Sequence, residues 1–255
     1  MRMRNGVSVA VTIGIISLAA SAVWSQTGVI QQSVTVGHRA GSSSVTVAGQ
    51  TVTVDTTAGA GRVLGDGQPA SETRAIGPLT AIDADGAFAL TVKVGPPPGL
   101  TIETDKNILA IVKSDVSNGR LELYTDRSYS VNRRIKITVT SPNIADLSAS
   151  GSNQIRAEGL IGGPLSISLN GSNDAELSGK ISTLTGRLSG SNNLTAQQLT
   201  ADWANITVSG SGSASVDARQ RIVAEISGAG SIMVYGNPPV RNTRVNGSGN
   251  IAFAE

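Results

Sequence analysis

Ser150-Gly151-Ser152-Asn153, Asn170-Gly171-Ser172-Asn173, Ser189-Gly190-Ser191-Asn192, Ser209-Gly210-Ser211-Gly212, Ser227-Gly228-Ala229-Gly230 and Asn246-Gly247-Ser248-Gly249 are six copies of one turn. From the first glycine of one copy to that of the next the steps are 20, 19, 20, 18 and 19 residues. Before each turn every second residue is mostly apolar, as at Leu165, Ile167 and Leu169 or at Ile206 and Val208. The alternation resumes after it, as at Ile155 and Ala157 or Ala175 and Leu177. A period of two is the mark of a strand with one face buried. A spacing near 19 is too short for a helical repeat and too regular for a sandwich. The pattern therefore predicts an all-β fold, a parallel β-solenoid (β-helix) with roughly 19 residues per coil in the C-terminal half.

In such a stack each strand takes a parallel neighbour from the next coil about 4.8 Å away, so six coils rise roughly 25 to 30 Å. One coil alone cannot bury its apolar side, and burial comes from stacking. Glycine suits the turn because it reaches positive φ without a Cβ penalty. Asn153, Asn173 and Asn192 share one column in three successive coils, where their amides can bond in a ladder, and Gly212, Gly230 and Gly249 follow in the same column.

Upstream, Leu79 to Ile82, Phe88 to Val94, Leu100 to Glu103, Leu121 to Tyr124 and Ile135 to Val139 read as strands, and Asn118-Gly119 is a hairpin signal. Residues 107–113 suit a short helix or another strand. The solenoid domain is placed at 71–255 and a Ser/Thr/Gly/Val-rich linker at 23–70. Within that linker Val45-Thr46-Val47 and Val52-Thr53-Val54 alternate as strands do, with Ala48-Gly49-Gln50 as a turn. Arg2 and Arg4, the apolar run from Val7 to Trp24 and the small residues Ala20-Ser21-Ala22 make 1–22 a signal peptide, with cleavage as late as residue 25 the alternative. The expected location is periplasmic or extracellular. A membrane enters only if this segment stays uncleaved.

The chain carries 20 basic and 18 acidic residues, and removing Arg2 and Arg4 leaves 18 against 18. That balance gives nucleic-acid binding no support. There is no cysteine, hence no disulfide and no thioether-anchored lipid.

The run Asp85-Gly86-Ala87-Phe88 to Val94, then Pro142-Asn143-Ile144-Ala145-Asp146-Leu147 leading to Gly151-Ser152-Asn153, and the later Ser-Gly-Ser-Gly turns ending in Val234-Tyr235-Gly236-Asn237-Pro238 together resemble the bacterial head GIN domain family. The resemblance covers about residues 75–255. It implies a right-handed parallel β-helix and an autotransporter-adhesin head.

No catalytic, cofactor or metal constellation stands out. Two outward columns, Arg156, Glu176, Thr195, Ser215 and Glu158, Ser178, Gln197, Asp217, place no two acids on adjacent coils, which argues against a polysaccharide lyase or hydrolase. Asp83 and Asp85 before Gly86 read as turn-capping rather than calcium ligands. His38 is the sole histidine, so a serine triad or zinc site lacks parts. Asn170, Asn193, Asn205 and Asn246 begin Asn-x-Ser/Thr sequons that the composition itself produces. Tyr124, Tyr129 and Trp203 are the notable aromatics, and packing is the role expected of Trp203.

The chain reads as a non-catalytic exported envelope or secreted module, adhesin-like, presenting a surface to a cell-envelope glycan or protein. A carbohydrate-active β-helix enzyme is the alternative. The last coil leaves an edge to be capped or paired, so a homo-oligomer is a further expectation. Binding residues are not assigned individually. The irregular stretches around Tyr124 to Arg134 and around Trp203 are where function is expected, because the turn repeat is stacking chemistry.

Overall fold

The computed structural model describes residues 34–39, 42–47, 50–54 and 62–254, so the export segment expected at 1–22 lies outside the described residues. Two compact units divide the chain, Met1–Ala60 and Gly61–Glu255. In the first, β1 (Val34–Arg39), β2 (Ser42–Val47) and β3 (Gln50–Val54) form an antiparallel sheet in which Val36 faces Val45 and Val45 faces Val52. These are the alternating segments of the stretch read as linker.

The second unit begins with β4 (Val63–Leu64) and β5 (Pro69–Arg74), so residues before 71 contribute to it. Then come β6 (Ala81–Gly86), β7 (Phe88–Val94) and β8 (Gly99–Asp105). Residues 107–113 divide between the two readings: a single helical turn, α1 (Lys106–Leu109), and the start of β9 (Val112–Ser117). β9 pairs antiparallel with β10 (Arg120–Thr125) through Asn118 (φ 51°) and Gly119 (φ 75°), as the Asn-Gly signal requires. β11 (Tyr129–Ser130) pairs with β4, and β12 (Ile135–Ser141) follows. No helix among the described residues is long and apolar enough to cross a membrane.

The regular coils are β13 (Asp146–Gly151), β14 (Gln154–Gly171), β15 (Asp174–Gly190), β16 (Asn193–Gly210), β17 (Ser213–Gly228), β18 (Ser231–Tyr235), β19 (Val240–Gly247) and β20 (Asn250–Phe253). All pair in parallel with the next coil, and the molecule is a β-solenoid. The long strands bend through the side opposite the glycine turn, so each supplies two sheet faces. Face A carries the segments before the turn, in the order β9, β10, β6, β13, then the C-terminal halves of β14 to β17, then β19. Face B carries the segments after it, from β5, β8, β12 and β7 through the N-terminal halves of β14 to β17, then β18 and β20.

The stacking order departs from the chain order at the N-terminal end. β6 lies between β10 and β13, and β7 between β12 and β14, so the coil formed by β6 and β7 is inserted between one that follows it by about 40 residues and one that follows by about 65. Gly86 pairs with Gly151 and heads the glycine column, and Phe88 occupies the position that Asn153, Asn173 and Asn192 take in later coils. Antiparallel β8 and β9 close that end of the stack.

The core is a continuous stack of mostly aliphatic side chains from several columns, from Ile82, Leu90 and Phe88 through Ile167, Leu184 and Ile206 to Ile226 and Val234, all below 2 % exposed. At the far end the pattern changes: Arg241 is in register with buried Ile222 and Thr243 with buried Ala224. The Arg241 guanidinium lies 4.2 Å over the Phe253 ring and donates to the Pro238 carbonyl at 2.9 Å. A polar final coil is how a solenoid covers its apolar end. Every residue of β19 is nonetheless exposed, Val240 and Val245 at 47 and 41 %, so the edge expected to need capping or pairing is still open among the described residues.

Candidate binding surface

Every coil has two corners. At the glycine corner Gly151, Gly171, Gly190, Gly210, Gly228 and Gly247 have φ between 101° and 128°. A Cβ on Gly190 would stand 2.5 Å from the Gly171 carbonyl oxygen, and one on Gly210 2.6 Å from that of Gly190, so each glycine is required by its neighbour below. The asparagine column forms the predicted ladder. Asn153 Nδ2 donates to Asn173 Oδ1 and Asn173 Nδ2 to Asn192 Oδ1, both at 2.9 Å, with all three side chains at most 2 % exposed. Phe88 N–H donates to Asn153 Oδ1 at one end, and Asn192 Nδ2 donates to the carbonyls of Ser189 and Leu169 at the other. No polar atom of the ladder is left for a ligand.

The opposite corner is irregular. Register shifts fall between Ala157 and Leu160, between Glu176 and Ser178, between Ala196 and Thr200, and between Ala201 and Trp203. These bulges break the second outward column read from the sequence. Ser178 pairs with Gln198 rather than Gln197, and Asp217 pairs with Thr200. Asp217 also turns out to be buried rather than outward, at 6 % exposed. One of its oxygens accepts from Thr200 Oγ1 and Arg219 Nη2, at 3.2 and 2.7 Å. Its other oxygen, Oδ1, is packed against the Gly236 backbone, where any Cβ would collide with it. It is a structural carboxylate pinning the corner.

Trp203 is corrected from its expected packing role. Its side chain is 54 % exposed on the edge of face A, in a row with Thr183 on one neighbouring coil and Arg221 on the other. The indole Nε1–H donates to Gln220 Oε1 at 3.3 Å, which restrains the ring without covering it. Two residues along the strand, Asn205 is flanked by Thr185 and Val223. The neighbours are mainly hydroxyl, amide and guanidinium groups, the setting in which one end of a tryptophan is apolar and the other wet.

The other irregular stretch, near Tyr124, is acidic. Glu122 pairs with Asp83 across β10 and β6, and with Asp115 across β10 and β9. Acids therefore do stand side by side on adjacent strands outside the two columns read from the repeat, because β10 and β6 are neighbours only in space. Arg120 donates to Asp83 at 2.7 Å and to Asp146 at 2.9 Å. Those hydrogen bonds, that to Asp146 first, raise the guanidinium pKa above its ordinary value. Tyr124 donates its hydroxyl to Asp115 at 2.9 Å, and its own pKa is raised chiefly by that bond. Tyr129 is raised first by burial. Asp83, Asp85, Ser148 and Ser150 line a shallow, open depression of about 110 Å³. Among the described residues no group of three or more His, Asp or Glu has metal-binding geometry.

Residues 78–238 match the family described as "Putative auto-transporter adhesin, head GIN domain", and the chain belongs to that family. A crystallised protein of Bacteroides fragilis described as a putative adhesin superposes with a TM-score of 0.61 at 21 % identity, covering 75 % of this chain and all of that one. One from Parabacteroides distasonis gives 0.51 at 18 % identity, covering 76 % of this chain and 100 % of its own, and one from Parabacteroides merdae 0.50 at 18 %, with 76 % and 99 % covered. At these identities the likeness establishes the shared fold. No curated protein matches the chain.

Proposed function

We propose that the protein is an exported, non-catalytic binding module of the cell envelope or extracellular space, and that its ligand is a glycan held on face A around Trp203. The single observation that carries this reading is an indole 54 % exposed at the irregular corner, restrained by Gln220 and bordered by Thr183, Asn205 and Arg221. An exposed large aromatic beside Thr183, Asn205 and Arg221 has no use in the core, and its flat apolar face suits the apolar face of a hexose ring. The adhesin titles of the structural neighbours agree with a surface-binding role. The apolar leader at 1–22 agrees with export. The acidic row is not favoured as a catalytic pair, since Asp83 and Asp115 are already engaged by Arg120 and Tyr124 and the row lies on a strand face rather than across a cleft.

The test is retention of the purified protein on immobilised polysaccharides, beside Trp203→Ala. Retention of the wild type that is lost in Trp203→Ala is the expected result. Equal retention of both proteins, or retention of neither, overturns the assignment. New reducing ends released from any polymer would replace it with the enzyme reading.

A further inference from the structure

We infer that the glycan at the Trp203 surface is anionic, a polymer whose hexoses carry carboxylates, lying across the coils with one ring on Trp203 and a carboxylate on Arg221. The inference rests on the preceding reading of Trp203 as a glycan platform and adds the ligand's charge and direction.

Charge distribution on face A is the first argument. One outward row runs Asp115, Glu122, Asp83, Ser148, Ser168, Arg187, Thr207, Glu225, Arg244 from the N-terminal end of the stack to the other. Acids open the row, and its second half carries Arg187 and the ion pair of Glu225 with Arg244. Trp203 stands on β16, the strand that gives Thr207 to that half, in a separate row beside Arg221.

The state of the arginines is the second argument. Arg120, Arg156, Arg219 and Arg244 each have a carboxylate within 4.0 Å. Arg187 and Arg221 have no such partner among the described residues, and both are exposed. Arg221 is in register beside Trp203, so their Cα atoms are separated by one strand spacing, about 4.8 Å. A guanidinium with its fork unoccupied beside an open indole matches a ligand that offers a ring face and a carboxylate on adjoining units.

Direction follows from the rows. Thr183, Trp203 and Arg221 lie across three successive coils, and one coil spacing is comparable to the length of one hexose in an extended chain. A polymer crossing the coils therefore meets hydroxyl, indole and guanidinium in turn. Asp202, in the bulge just before Trp203, is the one nearby carboxylate outside an ion pair, and its charge works against such a ligand.

The experiment measures binding of the purified protein to polygalacturonate and to carboxyl-reduced polygalacturonate, a neutral polymer of the same backbone, at low and high salt. Wild type is expected to bind the acidic polymer about tenfold more tightly, the size of one charge-assisted contact, and to lose that preference at high salt. Arg221→Gln is expected to abolish the preference while keeping the neutral polymer's affinity, and Asp202→Asn to increase it. Trp203→Ala is expected to lose both polymers. Equal affinity for the two polymers, with Arg221→Gln indistinguishable from wild type, overturns the anionic-ligand inference and leaves the glycan platform standing. Full binding of the acidic polymer by Trp203→Ala, or no binding of either polymer by wild type, overturns the platform itself.

Discussion

The glycine corner and the opposite corner of each coil are made by the same chain at the same height, yet they obey different constraints. At the glycine corner six turns repeat with one backbone conformation, and every carbonyl sits where the next coil's Cβ would be. Any side chain there disturbs two coils at once. At the other corner the coils differ in length, the ladder slips at the bulges, and one row holds four unlike side chains: Ile161, Lys180, Thr200 and the buried Asp217 follow one another. The glycine corner holds the strict register, each of its glycines being required by the carbonyl of the coil before it. The second corner is then available for recognition, and that is where Trp203 and Arg221 stand.

The hardest way to break the contrast is at the glycine column. Gly190→Ala is expected to destabilise the protein by about 3 kcal/mol or more, since it adds left-handed strain to a backbone collision, and denaturant unfolding followed by circular dichroism measures it. Asn173→Ala comes next. It leaves the Asn153 backbone N–H without its acceptor, takes one of two acceptors from Asn153 Nδ2 and one of two donors from Asn192 Oδ1, for a loss of about 2 to 3 kcal/mol by the same measurement. The smallest effect is expected at the other corner, where Trp203→Ala should change stability by no more than about 0.5 kcal/mol while removing glycan retention. A large loss of stability in that variant would mean that the second corner also carries the fold.

Within the glycine corner the first three turns and the last three also differ. Asn153, Asn173 and Asn192 fill the inner position of the early turns, with Ala149, Leu169 and Leu188 preceding the glycines. In the late turns Val208 and Ile226 precede the glycines, and their γ-methyls stand where a Cβ on Gly230 or Gly249 would fall, at 2.7 and 2.6 Å. The β-branched side chain of one coil thus takes the space that an amide takes elsewhere. The sequence shows the switch from Asn to Gly, but the reason for it lies between coils.

Much of the fold was legible because a solenoid is local in sequence. Neighbouring coils are about 19 residues apart, so repeat spacing, alternation and the asparagine column are all visible in one dimension. The N-terminal end was less so. Gly86 belongs to the glycine column and Phe88 to the asparagine column, but 65 residues separate each from its next member, and no spacing argument reaches that far. The same insertion hid the acidic row, since Glu122 and Asp83 meet only through the pairing of β10 with β6. At the candidate site the sequence offered Trp203 and the irregular stretch around it, while its exposure and its partners Gln220 and Arg221 came from the way β16 and β17 align across their bulges.

By itself, then, the sequence determined the repeat: glycines where the backbone must reach positive φ, amides where polar groups are buried, and aliphatic residues at every second position, each a requirement that a residue meets within its own coil and the next. The tertiary structure decided what lies between coils that are distant in sequence or out of step. It buried Asp217, exposed Trp203, set the acids of face A side by side and left Arg221 without a carboxylate, because burial and pairing at a bulge depend on a register that alternation alone does not fix.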